Sequence, residues 1–260
     1  MPSVERATIM VHGRPEHVAD ARATVERLAA ERGVELTEGD DVDLAIVLGG
    51  DGTMLRALTR FLGKNVAVLG VNFGRVGFLT GVARDDLETG VRRAFEGEFV
   101  TFELPTLEAE LGGERHAAVN DVVAASAAVG RMVELRWAIA GEDLGTVPCD
   151  GLICSTPSGS TAYNLSNGGP VLVWGLDAMA LTFVAPHSLH ARPLVVPRSR
   201  DLEVTNASAK GAVAVLADGH KVGELASGDA ATIRLADQRS LLATLPDATF
   251  FRRYRETFAS

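Results

Sequence analysis

The run DLAIVLGGDGTMLRAL, from Asp43 to Leu58, contains the transition on which the fold turns. Leu44, Ala45, Ile46, Val47 and Leu48 are apolar without a break, the pattern of a short strand covered on both faces. Gly49, Gly50, Asp51, Gly52 and Thr53 interrupt it. Met54, Leu55, Ala57, Leu58 and Leu62 then recur at helical spacing, with Gly63 as the stop. The prediction is strand, glycine turn, helix. Glycines around Asp51 leave backbone N–H groups uncovered at the positive end of a helix, a place that suits a phosphate. Gly49, Gly50, Gly52 and Thr53 are the candidate cradle, and Asp51 projects where the phosphate would be handled. A carboxylate in such a turn also serves as a plain helix cap, and many glycine turns only redirect the chain. The carboxyl end of an α/β strand is the usual ligand crevice of such sheets, which favours function. The run is neither a Walker loop, since GxxxxGKS/T is absent, nor a GxGxxG fingerprint.

Working outward, Ala7 to Val11 is a β-prone run, and Pro15 suits the first turn of a helix with Val18, Ala21, Val25, Leu28 and Ala29 on one face. Val34 to Leu36 is a brief strand and Val66 to Val71 another buried one. Strands alternating with helices predict a parallel, doubly wound sheet. Asn72 to Thr80, NFGRVGFLT, is a glycine-spaced loop at the same sheet edge as Asp51. Phe73 and Phe78 are exposed-loop candidates there, able either to pack beneath the loop or to wall a nucleotide. A helix from Asp85 to Phe95 completes an α/β domain over residues 1–98. Beyond Phe99 the pattern becomes period two or short apolar runs: Leu104 to Leu111, His116 to Ala125, Val133 to Ala140, Leu152 to Ser155, Ala180 to Ala185, Leu202 to Thr205, Val213 to Leu216 and Thr232 to Leu235. Residues 99–239 are therefore expected to form an all-β, sandwich-like domain. After Pro246, Phe250, Phe251, Tyr254 and Phe258 form an aromatic stripe on a basic helix, read as a core face, with residues 240–260 packing back on the first domain.

The 260 residues carry a formal charge of −9 and are 47% hydrophobic, enough for sizeable cores and unfavourable for general nucleic-acid or anionic-membrane binding. Cys149 and Cys154 are the only cysteines, as expected of a reducing compartment. A zinc site drawn from them with His187 and His190 lacks a standard spacing. With no secretory h-region and no apolar span, the chain is expected to be soluble and cytoplasmic.

Two more polar stretches stand out. Asn120 and Asp121 interrupt the apolar AAVNDVVAA, so they either sit at a bulge and satisfy backbone groups or face a ligand. TPSGSTAYNLSNGGP, Thr156 to Pro170, is hydroxyl-rich and follows apolar Leu152, Ile153 and Cys154. Hydroxyls and open amides at a strand end suit ribose, amide and phosphate groups, and Tyr163 could stack or cap; a serine-rich loop with an N-cap is the plain alternative. No nucleophile triad assembles, since GSTAY is not the GxSxG elbow.

GGDGT at Gly49 to Thr53, the pair Asn120 and Asp121, TPSGSTAYNLSNGGP, and GVNFGRVGFL at Gly70 to Leu79 together resemble the NAD kinase family, in the right order through both halves. GGDGT alone is shared with diacylglycerol-type lipid kinases and 6-phosphofructokinases; the serine-rich stretch is more specific. The resemblance implies transfer of the ATP γ-phosphoryl group to the 2′-hydroxyl of the adenosine ribose of NAD, giving NADP. Asp51 matches the family's proton acceptor, with Mg²⁺ or Mn²⁺ accompanying the phosphates. It places Gly52 and the flanking glycines at phosphate, and Arg56 at a binding position. Asn120 and Asp121 fall at ribose hydroxyls. Arg131, Asp150, Ser158, Thr161, Ala162, Tyr163, Asn164, Ser166 and His220 fall at other ligand positions, with Phe78 in the matching loop. Asp121 stands where many relatives have Glu, Ser158 where Thr is common, and His220 where Gln is usual. The resemblance also implies a homodimer or homotetramer in which neighbouring subunits contribute ligand residues. A lipid kinase and an NAD-binding regulator without turnover are the rival readings; the acidic charge and absent basic amphipathic face weigh against the first, and intact Asp51 against the second.

Overall fold

Leu44–Gly49 is a strand with every residue buried, and it sits inside a parallel sheet. The computed structural model describes residues 4–11, 18–74 and 77–258. The chain divides into two compact units, residues 1–104 with 239–260, and residues 105–238. The first contains β1 (Arg6–Val11), α1 (Ala19–Arg32), β2 (Glu35–Leu36), β3 (Leu44–Gly49), α2 (Asp51–Arg60), β4 (Ala67–Asn72), β5 (Val82–Ala83) and α3 (Leu87–Phe95). Pro15 lies outside the described residues, as do residues 75 and 76 of the glycine-spaced loop. The sheet order is β2, β1, β3, β4, then Leu241 to Ala243 of the returning C-terminal segment, all parallel.

Alternation along the strands decides which helix covers which face. Leu44, Ile46 and Leu48 of β3 and Leu69 and Val71 of β4 share a core with Val25 and Leu28 of α1 and Val91 and Phe95 of α3. On the opposite face a Cβ added at Gly70 would lie 2.5 Å from Met54 Sδ, so α2 packs there. Helices on both faces make the sheet doubly wound. Full burial of Met54 and Leu58 on α2 stabilises the unit by about 1.5–3 kcal/mol each, and Arg56 stays on the exposed side. α1 ends at Gly33, whose φ of 70° lets its N–H reach the carbonyls of Ala29 and Ala30.

The C-terminal helix, Phe250–Phe258, belongs to this unit, but its aromatic stripe is not the buried face the spacing suggests. Phe250 and Arg253 are buried, whereas Phe251 is 69% exposed and Tyr254 and Phe258 are 41% exposed. Consecutive helical residues point about 100° apart, so one stripe cannot bury both Phe250 and Phe251. The buried line contains an arginine.

The second unit holds β6 (Val100–Leu111) from Pro105 on, β7 (Glu114–Ala118), β8 (Asp121–Ser126), β9 (Val133–Ile139), β10 (Glu142–Cys149), β11 (Gly151–Ser155), α4 (Tyr163–Ser166), β12 (Ala178–Val184), β13 (Leu194–Pro197), β14 (Leu202–Asn206), β15 (Val213–Ala217), β16 (His220–Leu225) and β17 (Ala230–Thr244) as far as Gln238. One antiparallel sheet runs β13, β12, β11, β8, β15, β16; in the other, β10, β9, β14 and β17 pair antiparallel. Val122, Leu152, Leu181 and Val215 of the first meet Leu135, Val204 and Ile233 of the second in one core. The single strand expected from His116 to Ala125 is two. The chain leaves the ladder at Val119 and Asn120, whose N–H groups donate to the Asp218 carboxylate instead. β10, β13 and β16 had no counterpart in the sequence reading; β10 is exposed over most of its length and β13 is only four residues long. Among the described residues no helix is long and apolar enough to cross a membrane.

Candidate active site

In the first unit the site grows from the end of β3. Gly49 finishes the strand, and a Cβ there would lie 2.4 Å from Thr53 Oγ1, so the helix can begin at once only because position 49 has no side chain. Gly50 caps α2 in an extended conformation, its carbonyl accepting from the N–H groups of Thr53 and Met54. Thr53 is buried with its side chain against Gly49, so two of the four expected cradle residues lie inside. Gly50 and Gly52 reach the surface, and a Cβ at Gly52 would meet nothing within 4 Å. The open backbone is therefore on the first turn of α2, where the dipole is positive.

Asp51 is not the helix cap, because no side chain caps α2. Its Oδ2 accepts from the Phe78 N–H at 2.8 Å and its Oδ1 from the Leu79 N–H at 3.0 Å. Burial raises its pKa above the usual carboxylate range, against the lowering effect of those N–H groups and of the Arg253 guanidinium. The result is a fixed carboxylate of raised basicity. Arg56 stands exposed further along the helix. The exposed ring expected at Phe78 is corrected: the side chain is 4% exposed and packs against Phe250 and Phe258 at centroid distances of 5.4 and 5.8 Å. Phe78 joins the site through its backbone. Phe73 is partly buried, with the Arg84 guanidinium over its ring. Arg253, which sequence reasoning missed, donates from Nη1 to the Phe78 carbonyl at 2.7 Å. Burial lowers its pKa to about 10, so it stays charged at neutral pH.

In the second unit Asn120 and Asp121 mark the start of β8. Their N–H groups and that of Val119 converge on the Asp218 carboxylate at 2.7–3.2 Å. Asp218 has φ 48° and Gly219 φ 78°, the left-handed pair of a tight hairpin between β15 and β16, for which Asp-Gly is a strong signal. Backbone needs at the chain break are thus met by Asp218, leaving the pair's own side chains free. Asn120 Oδ1 is buried and accepts no hydrogen bond among the described residues. Asp121 is 8% exposed, and burial, with the nearby Asp218 charge, pushes its pKa up to about 6. An orphaned acceptor beside a bare carboxylate is a receptor for hydroxyl donors. Burial also raises Asp218, opposed by the three N–H groups and by His220.

Three hydroxyls of the loop, those of Thr156, Ser158 and Ser160, are turned inward. Thr156 and Ser158 both donate to the Val119 carbonyl, at 2.7 and 3.1 Å. Ser160 bonds the Pro157 carbonyl, and Asn164 donates to the carbonyls of Ser160 and Pro170 while accepting from Thr182. Ser158 and Asn164, expected as ligand residues, are buried, Ser158 bonded to the Val119 carbonyl and Asn164 to the loop carbonyls and Thr182. A Cβ at Gly159 would fall 2.1 Å from the Asn120 carbonyl, so the loop is pressed directly on the Asn120 backbone. Thr161, Ala162, Tyr163 and Ser166 remain partly or fully exposed, Tyr163 by 46%.

β11 separates the remaining residues. Ser155 pairs with Asp121 and Gly151 with Ala125, so Asp150 lies at the far end of the strand from Asp121, roughly 16 Å away. Arg131 is in the turn after β8, at that same far end, and both are exposed. His220 is at the near end, its Nδ1 3.1 Å from the Asp218 carbonyl. Within the unit the structure joins Asn120, Asp121, Ser158 and His220 and leaves Arg131 and Asp150 apart. Cys149 and Cys154 are free and buried, the Cys149 thiol pushed up to about 12 by burial. Among the described residues no three His, Cys, Asp or Glu side chains converge to hold a metal ion.

The ATP-NAD kinase N-terminal domain matches residues 6–99, and the ATP-NAD kinase C-terminal domain matches residues 119–245. An NAD kinase of Gemmatimonas aurantiaca is 41% identical over 234 residues, which cover 87% of this chain and 80% of the relative. The crystal structure of an NAD kinase from Archaeoglobus fulgidus in complex with ATP superimposes with a TM-score of 0.78 at 27% identity, covering 98% of this chain and 97% of that one. Yeast NADH kinase complexed with NADH shares the fold, with a TM-score of 0.84 at 20% identity over 100% of this chain and 89% of the yeast chain.

Proposed function

The chain belongs to the ATP-NAD kinase family, an ATP-dependent phosphotransferase acting on NAD, and from that premise we propose how its own residues carry the reaction. The adenosine 2′-hydroxyl of NAD attacks the γ-phosphorus of ATP, the bond to the β-phosphate oxygen breaks, and the hydroxyl proton passes to Asp51, yielding NADP and ADP. The observation that carries this reading is the Asp51 carboxylate itself: held by two backbone N–H groups, raised in basicity, and set on the first turn of a helix whose backbone is open at Gly52. A raised pKa makes it a better proton acceptor than a surface aspartate. The helix dipole and bare amides favour the triphosphate beside it, and Arg56 adds local positive charge to an acidic chain.

Asn120 and Asp121 take the ribose hydroxyls, the role their unsatisfied acceptors support. Mg²⁺ or Mn²⁺ would accompany the phosphates of ATP. Such an ion, when bound, neutralises charge on the triphosphate. Arg131 and Asp150 lie too far along β11 to share one ligand group with Asp121. That separation supports a homo-oligomer, dimer or tetramer, in which each subunit presents them to its neighbour. Free cysteines support a reducing, cytoplasmic setting. The test is to incubate the purified chain with ATP, Mg²⁺ and NAD and weigh the products: NAD gains the mass of one phosphate. Well-folded protein that leaves NAD unchanged overturns the reading.

A further inference from the structure

We infer that Arg253, on the C-terminal helix, is a positioning residue for the transfer: by gripping the Phe78 carbonyl it fixes the two N–H groups that aim the Asp51 carboxylate. The inference rests on the reading of Asp51 as proton acceptor and extends it to a segment far along the chain. The geometry is a relay of short bonds. Arg253 Nη1 donates to the Phe78 carbonyl at 2.7 Å, the Phe78 N–H donates to Asp51 Oδ2 at 2.8 Å, and the Leu79 N–H donates to Oδ1 at 3.0 Å. The same helix holds the other side of Phe78, whose ring lies edge-on to Phe250 at 5.4 Å and against Phe258 at 5.8 Å. One residue is therefore clamped by its carbonyl and by its ring.

A guanidinium only 6% exposed is costly to bury unless charge nearby compensates it. Among the described residues, Asp51 from α2 and Glu256 one turn along its own helix do so. Arg253 in turn is the charged side chain that favours the ionised form of Asp51, against burial, while Asp51 takes its hydrogen bonds from backbone. Simple packing would be served as well by a leucine at position 253. A buried cation placed on the carbonyl behind the base does more: it holds the loop and the charge of the base together.

The test compares steady-state kinetics and pH profiles of Arg253→Met, Arg253→Lys, Asp51→Asn and the double variant Asp51→Asn/Arg253→Met with the parent chain, folding being followed by circular dichroism. Arg253→Met is expected to lower kcat at neutral pH by about tenfold or more, with KM for ATP and NAD within about twofold. Its acid limb moves to higher pH, because Asp51 loses the positive neighbour that favours its ionised form. Arg253→Lys keeps the charge but not the fork, so it leaves the acid limb in place and recovers part of kcat. The double variant is no slower than Asp51→Asn alone. If Arg253→Met does not fold, Arg253→Lys decides alone, by a several-fold lower kcat at unchanged KM. Folded Arg253 variants with the parent kcat and acid limb overturn the inference, as does a loss seen only in thermal stability. Should Asp51→Asn itself keep its turnover, the reading of the base fails; should it lose turnover while the Arg253 variants do not, only the inference fails.

Discussion

Two aspartates of the candidate site have been put to opposite ends. Asp51 accepts from two backbone N–H groups with a guanidinium charge nearby, and its own charge is anchored. Asp121 has a like charge nearby and, among the described residues, no donor at all. A carboxyl with pKa about 6 in the folded chain and 3.8 unfolded has a definite linkage sign. Below 3.8 both forms are protonated and nothing is lost. As pH rises through the folded value the native state is penalised, by about 3 kcal/mol once both forms are ionised. Asp121→Asn removes that penalty. The variant is expected to melt several degrees higher at neutral pH, with the gain vanishing below about pH 4, and to bind NAD more weakly. Equal melting temperatures at neutral pH would show that Asp121 is not strained in the free protein. Much of this was legible in advance: GGDGT announces Asp51, and a polar pair in an apolar strand announces Asn120 and Asp121. Arg253 was not, since one of three arginines on a basic helix reads as surface until the helix is seen to turn it inward.

At the scale of elements, the glycines divide into those that let parts touch and those that leave backbone open. Gly159 belongs to the first kind and Gly52 to the second. Because nothing lies near Gly52 and it sits within α2, Gly52→Ala should stabilise the helix by about 0.5–1 kcal/mol while its methyl occupies the approach of the phosphate. We expect an unchanged or slightly raised melting temperature together with a KM for ATP at least about tenfold higher. A normal KM would move the triphosphate away from the first turn of α2. Strand, turn and helix were readable here because apolar period and glycine punctuation agree. The hydroxyl-rich loop left two readings open for a physical reason. Its residue types suit both a ligand and a self-bonded loop, and only the partners of Thr156, Ser158 and Ser160 decide between them. Exposed, polar β10 and β16 carry little periodicity to read.

For the whole molecule, the alternation of strand and helix before Phe99 and the β pattern after it announce the two kinds of architecture, whereas the C-terminal segment joins the first through Leu241 to Ala243 beside β4 and through buried Phe250 and Arg253, not through the whole aromatic stripe. What no single chain spells out is assembly. Leu144 and Leu194, each 41% exposed, and Val195, 42% exposed, line one groove of the second unit together with Glu142 and Arg200. We expect sedimentation velocity to find a dimer or tetramer, and Leu144→Glu with Leu194→Glu to shift it toward monomer with loss of activity. A fully active monomer would remove the need for a neighbour's Arg131 and Asp150.

The central claim is that Asp51 accepts the proton as the ribose hydroxyl becomes a phosphate ester, and one measurement addresses it most directly: turnover of Asp51→Asn on ATP and NAD beside the parent chain. The amide keeps the size of the carboxylate and gives up its basicity. The account predicts a folded protein that still binds NAD and forms NADP slower by about two orders of magnitude or more. Turnover near that of the parent would contradict it.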